Sequence, residues 1–226
     1  METTTETNNY EDYYEDELCD KSGVVQFHSV LTPAFFSMVI TLSITGNIMV
    51  LVILAKYENI RSITNIFILN LALSDLLFTF GLPFWASYYI WGWTFGLTLC
   101  KTVTFVFYTG FYSSILFLTI MTIHRYLAVV HPLSDHSSQR GCYGAIVSLV
   151  IWAVSFMAAG PALIFTSVQM NPHEPVNNLY CEYSDLKWKK VGSYQQNFFF
   201  LASFAVMGFC YVMILGTIFK SSSEIT

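Results

Sequence analysis

Charge is what this chain of 226 residues has least of. Lys, Arg, Asp and Glu together make up 11% of it, against about 25% in soluble domains. From Phe36 to Leu54 there is no charged residue at all. A helix in a soluble bundle needs a polar face, so this run argues against one. The marks of catalysis are missing too. No cluster of His, Cys or carboxylates has metal-ligand spacing, and no serine sits in a nucleophile elbow. The chain is therefore not expected to be an enzyme. Acids within the apolar segments are nearly absent and no internal repeat is apparent, which argues against a transporter or channel. The residues before Lys21 include no Lys or Arg, whereas a secretory signal needs a basic start followed by an apolar core. The first apolar segment is expected to stay as an uncleaved anchor. No Asn-x-Ser/Thr sequon occurs, so N-glycosylation is not expected.

What is present is apolar. The hydrophobic fraction is 54%, with 20 Phe and 14 Tyr, and the mean hydropathy is +0.53. A spanning helix needs about 20 mostly apolar residues. Five segments meet that need, at 31–55, 65–88, 98–130, 144–168 and 194–219. The expected fold class is an all-α membrane protein: a helical bundle over 30–220, preceded by an acidic tail at 1–29 and followed by a short stub at 221–226. Eight of the 15 acids precede Lys21. An acidic tail on an otherwise slightly basic chain implies a basic partner and excludes nucleic acid.

Basic residues divide five against five between the two sides, so their count leaves the orientation open. The flanks of the first segment favour an outside N-terminus, because Lys56 and Arg61 follow it and the acidic tail precedes it. Cys100 and Cys181 fall on the same side as the N-terminus by helix parity. Disulfides persist in oxidising compartments, so a bond between these two would put the tail outside. Cys142 and Cys210 lie near opposite ends of their helices and read as plain apolar residues.

Several local patterns follow one another along the chain. Gly46-Asn47 lies in the first segment. Asn65 to Leu73 leads to Ser74-Asp75 in the second, with Pro83 and Trp85 beyond. Trp93-Thr94-Phe95-Gly96 precedes Cys100, and His124-Arg125-Tyr126 ends the third segment. Trp152 and Pro161 lie in the fourth and Tyr211 in the fifth. In this order and spacing the set resembles the rhodopsin-like G protein-coupled receptors in their chemokine-receptor form, over Val30 to Lys220. The stretches Leu118 to Leu127 and Thr64 to Asn70 resemble its C-chemokine (lymphotactin) branch, as does His124, where most of the family has Asp.

The resemblance implies a rhodopsin-like bundle with five of seven helices present, a place in the plasma membrane, and binding of a chemokine of the C class. It implies signalling through a heterotrimeric G protein in the complete receptor, chemotaxis and an immune role, and a receptor oligomer as a further assembly. It implies a disulfide between Cys100 and Cys181. Cys19, whose usual partner precedes a seventh helix, is left a candidate for intermolecular pairing. Tyr10, Tyr13 and Tyr14 are set among acids, a context that favours sulfation in this family, and are expected to bind and steer a basic ligand. The alternative for that tail is plain acidic disorder. Phe36, Trp85, Phe107 and Tyr108 are expected to line the ligand pocket, or else simply to pack between helices. Asp75 is the one acid within the five segments, and an ionisable residue at that depth is a functional candidate. By resemblance it shares a sodium ion with Ser114; the alternative is a carboxylate satisfied by Asn47 and water. His124, Arg125, Tyr126 and Tyr211 are assigned to G-protein coupling, though Arg125 could equally snorkel to headgroups. His124 cannot restrain Arg125 as an Asp would, which implies a looser resting state. The family also places a proline in the fifth helix, where Ser203 stands, and continues for two more helices. The chain is therefore expected to be a receptor truncated after its fifth helix. The alternative is a non-signalling ligand binder, or an assembly partner of the full-length receptor.

Overall fold

The computed structural model describes residues 22–58, 62–130, 140–170 and 179–225, with side chains over 31–58, 62–130, 141–170 and 179–221. The tyrosines assigned to the tail, Tyr10, Tyr13 and Tyr14, lie outside the described residues, as do Cys19 and Arg61.

Five helices follow in order: α1 (Ser22–Tyr57), α2 (Ile63–Trp91), α3 (Gly96–Val130), α4 (Arg140–Phe165) and α5 (Leu186–Ile225). Between α4 and α5 the strands β1 (Thr166–Met170) and β2 (Leu179–Tyr183) form an antiparallel pair. All five helices are long and apolar enough to cross a membrane. In hydrocarbon every backbone polar group must be satisfied within its own segment. Many of the hydroxyls follow the same logic. Ser37, Thr104, Ser113 and Ser155 each donate to the carbonyl four residues earlier, at 2.6–2.8 Å, which lets them sit in an apolar helix without an orphaned donor.

Several expected boundaries are corrected. The first helix starts at Ser22, inside the segment read as tail. The fourth ends at Phe165, and the residues assigned to its last turn form β1. The fifth starts at Leu186, eight residues before the apolar segment that marks it, and at 40 residues is about 60 Å long. The hydrocarbon core is about 30 Å thick. Apolarity therefore marks only the part of α5 that needs lipid, and the turn carrying Lys187, Lys189 and Lys190 continues beyond it.

Helix α3 is the centre, packing on α2, α4 and α5, while α1 packs chiefly on α2. The α2–α3 contact is the most extensive, and Gly110 makes it so close. A Cβ on Gly110 would lie 2.4 Å from the backbone nitrogen of Phe78. One core cluster, Ile63, Phe67, Phe117 and Ile151, joins α2, α3 and α4. A second joins the α2–α3 turn to the strand pair through Trp93, Cys100, Val103 and Cys181. Gly92 and Gly96 bracket that turn at φ of 70° and 78°, a region open to glycine at no steric cost. Trp93 is thereby tucked fully inward. Its backbone N–H donates to Leu179 O at 2.7 Å and its ring N–H to Gly96 O at 2.8 Å.

Candidate functional site: a ligand cavity and two polar centres

The strand pair covers the ends of α2, α3 and α5. Val168 faces Cys181 in its register, and Cys181 is bonded to Cys100 at the start of α3. The expected disulfide is present, and it ties β2 to the bundle across 81 residues of sequence. Below it lies a cavity of about 270 Å³, near the lower end of ligand-pocket sizes.

Trp85 and Tyr108, two of the expected pocket residues, line this cavity. Phe36 and Phe107 are not among its lining residues. Phe36 meets Tyr89 edge-on, and Phe107 stacks on Phe78 between α2 and α3. Sequence reasoning missed most of the remaining wall. Tyr88 and Tyr89 come from the last turns of α2. Glu182 and Tyr183 come from β2, and Lys189 and Gln196 from the extended start of α5. The signal available was position: Glu182 and Tyr183 directly follow the half-cystine Cys181.

Two polar atoms of the wall are buried and unpaired, the Trp85 ring N–H and the hydroxyl of Thr166, which is 2% exposed. Such an atom costs about 1–3 kcal/mol until it finds a partner, so both are poised for a ligand. Glu182 accepts from Lys189 Nζ at 2.6 Å across the mouth. Burial, with the neighbouring Tyr108 phenol adding to it, pushes the Tyr183 hydroxyl up to about 12. It is therefore a neutral hydrogen-bonding group at physiological pH. A carboxylate, a lysine, phenols and an indole in one cavity equip it to bind a polar, partly charged group.

Deeper in the bundle, Ser114 Oγ donates to Asp75 Oδ1 at 2.7 Å. Asn47, the alternative partner, donates to Ser43 O and Oγ instead, at 2.9 and 3.2 Å. Ser43 in turn shares a 2.6 Å hydrogen bond with Thr79, whose hydroxyl donates to Asp75 O. The Asp75 carboxylate and the Ser114 hydroxyl are hard oxygen donors in contact, a set that suits a hard cation. A second polar joint ties α4 to α2, where the Trp152 ring N–H donates to Asn70 Oδ1 at 2.9 Å.

At the far end of α3, the His124 ring stands edge-on to Phe67, and the Tyr126 ring lies 6.2 Å from Phe209 of α5. Arg125 between them is exposed, and Tyr211 of α5 is 53% exposed.

The sequence pattern of the 7 transmembrane receptor (rhodopsin family) matches residues 46–226. The chain belongs to the rhodopsin family of seven-transmembrane receptors. It is similar to the human chemokine XC receptor 1, with 43% identity over 214 residues, covering 94% of this chain and 62% of the relative. The mouse chemokine XC receptor 1 is 41% identical over 99% of the chain and 66% of its own length. The human C-C chemokine receptor type 4 is 37% identical over 99% of the chain and 63% of its own length. The chain thus spans a little under two thirds of the relatives it matches. Rhodopsin-family membership and five apolar helices make it a multi-pass protein of the plasma membrane, and its family is one of receptors rather than enzymes.

Proposed function

We propose that this chain is the ligand-binding portion of a chemokine receptor, taking a chemokine of the C class on its acidic tail and in the cavity beneath the strand pair. The observation that carries this reading is the cavity itself, roofed by the Cys100–Cys181 bond, in a chain 43% identical to a chemokine XC receptor. The disulfide also supports an extracellular N-terminus, because such bonds persist on the oxidising side of the membrane. Ligand binding would couple through α3 to a heterotrimeric G protein at the exposed Arg125, with His124, Tyr126 and Tyr211 forming part of that face. Asp75 and Ser114 would hold a sodium ion, which supplies countercharge to a carboxylate inside the bundle.

Labelled C-class chemokine applied to intact cells tests this. One set of cells carries Met1 to Thr226, and another carries the same chain extended by two receptor helices. Binding by both sets is expected. Binding by neither set overturns the ligand assignment. Binding by the extended form alone makes the chain a piece of a receptor that cannot capture ligand by itself.

A further inference from the structure

Thr104 and Tyr108 of α3 line the cavity, but Tyr112, one turn deeper, does not. Tyr112 is 2% exposed, and its ring lies 4.9 Å from that of Phe199 on α5. The seam between α3 and α5 is therefore closed just beneath the cavity. Tyr183 reaches into that seam from the strand pair. Successive side chains of a strand point to opposite faces. Cys181 is turned towards α3 by its bond to Cys100, so Tyr183, two residues on, faces the bundle as well. Its phenol has Tyr108 and Tyr112 of α3 as neighbours. It also lies against the bare backbone of α5 at Gly192, which is buried. A Cβ on Gly192 would stand 3.1 Å from the Tyr183 hydroxyl and 3.3 Å from two of its ring carbons. A hydrogen bond from Tyr108 to Gln196 of α5 closes the same seam. Tyr183 is thus a cavity-lining side chain on a disulfide-anchored strand, held between two helices.

We propose that Tyr183 is a specificity-determining residue, whose phenol plugs the seam between α3 and α5 and limits how large a ligand side chain the cavity admits. The proposal rests on the cavity being the ligand site. With the plug in place the cavity holds about 270 Å³ and takes a small side chain at its floor. With the plug removed, a ring can enter the seam against Tyr112 and Phe199, where aromatic contacts favour it. The bulk of the side chain sets the limit, so Tyr183→Phe keeps it. A purely structural wedge would alter stability without sorting ligands by size.

The test uses the chain purified into phosphatidylcholine nanodiscs and titrated by saturation-transfer NMR, with the signal of empty nanodiscs subtracted. The probes are N-acetylalanine amide and N-acetyltryptophan amide, neither of which carries a charge. Tyr183→Ala should strengthen the tryptophan probe on the order of tenfold, the lower end of what burying a large side chain is worth, and leave the alanine probe unchanged. Tyr183→Leu, which keeps apolar packing in the seam, should act in the same direction by a smaller factor. Tyr183→Phe should match the parent. An equal response of the two probes to the shortened side chains, or a shift in Tyr183→Phe as large as in Tyr183→Ala, overturns the inference. If Tyr183→Ala does not fold, Tyr183→Leu against Tyr183→Phe decides it. Chemokine binding to cells separates the two claims. Parent cells that capture chemokine, with probes that ignore the change at Tyr183, remove the inference and leave the proposed function. Size selection that follows Tyr183 in a chain that captures no chemokine does the reverse.

Discussion

At the strand-pair end of α3, Trp93, Cys100, Val103 and Cys181 are 0–3% exposed and are held by a disulfide, a strand register and two hydrogen bonds from Trp93. At the other end of the same helix Arg125 is exposed, His124 and Tyr126 make edge or tilted ring contacts, and the nearby Cys142 is an exposed free thiol. One end is preorganised before any ligand arrives, and preorganisation lowers the ordering cost of binding. The other end presents the exposed Arg125 between two partly buried rings, one of which, His124, packs on the buried Phe67. That arrangement suits a surface whose shape is completed by what docks there.

The comparison depends first on α2 and α3 lying as close as Gly110 allows. Gly110→Ala puts a methyl group 2.4 Å from a backbone nitrogen that cannot rotate away. Separating two packed helices is overpacking at its worst, and we expect a loss of about 3 kcal/mol or more. A thermal unfolding midpoint unchanged in detergent would show that the helices are not so closely packed. The two ends should next respond unequally to loss of a thiol. Cys100→Ser combined with Cys181→Ser should cost about 2–4 kcal/mol and abolish ligand capture. Cys142→Ser, at the opposite end, should leave both unfolding and capture unchanged. Equal effects would erase the distinction between the ends.

A smaller effect is expected where α4 joins α2. Trp152→Phe keeps most of the ring but deletes the donor to Asn70 Oδ1. Interhelical hydrogen bonds in bilayers average about 0.6 kcal/mol, so the unfolding midpoint should fall only slightly and ligand capture should persist. His124→Asp removes a ring that packs edge-on to the buried Phe67, so some loss of stability is expected. In a receptor extended by two helices it should also lower basal G-protein signalling, because the new carboxylate can pair with Arg125. Unchanged basal signalling would mean that His124 does not set the resting state.

pH sharpens the contrast as well. The Tyr183 hydroxyl is raised from 10 to about 12, so the folded chain holds that proton more tightly than the unfolded one. Stability should be level below pH 10 and decline between pH 10 and 12. Tyr183→Phe should remove that part of the decline, as read from unfolding midpoints across the range.

The helices were legible because lipid imposes one rule on every spanning residue: apolar side chains and backbone bonds closed within the segment. That rule needs no partner, so the run from Phe36 to Leu54 declares itself. Asp75 declared itself for the same reason, as a lone acid where acids are costly. The start of α5 and the strand β1 did not, because neither has to satisfy lipid. Lys187 and Lys189 are helical outside the apolar run, and Thr166 to Met170 extends only because β2 pairs with it.

Local sequence alone marked five apolar segments long enough to cross a membrane, and the one acid that lies among them. Through the likeness of its motifs to a known family, it also pointed to the family and to the cysteines that pair. Only the tertiary structure decided that Phe36 and Phe107 pack between helices while Glu182, Tyr183 and Lys189 wall the cavity. It alone decided that Asn47 serves Ser43 rather than Asp75. The reason is physical. Spanning is a property of each segment against its solvent, whereas a cavity wall is assembled from turns and strands that meet only when α3, the disulfide and the strand pair bring them together.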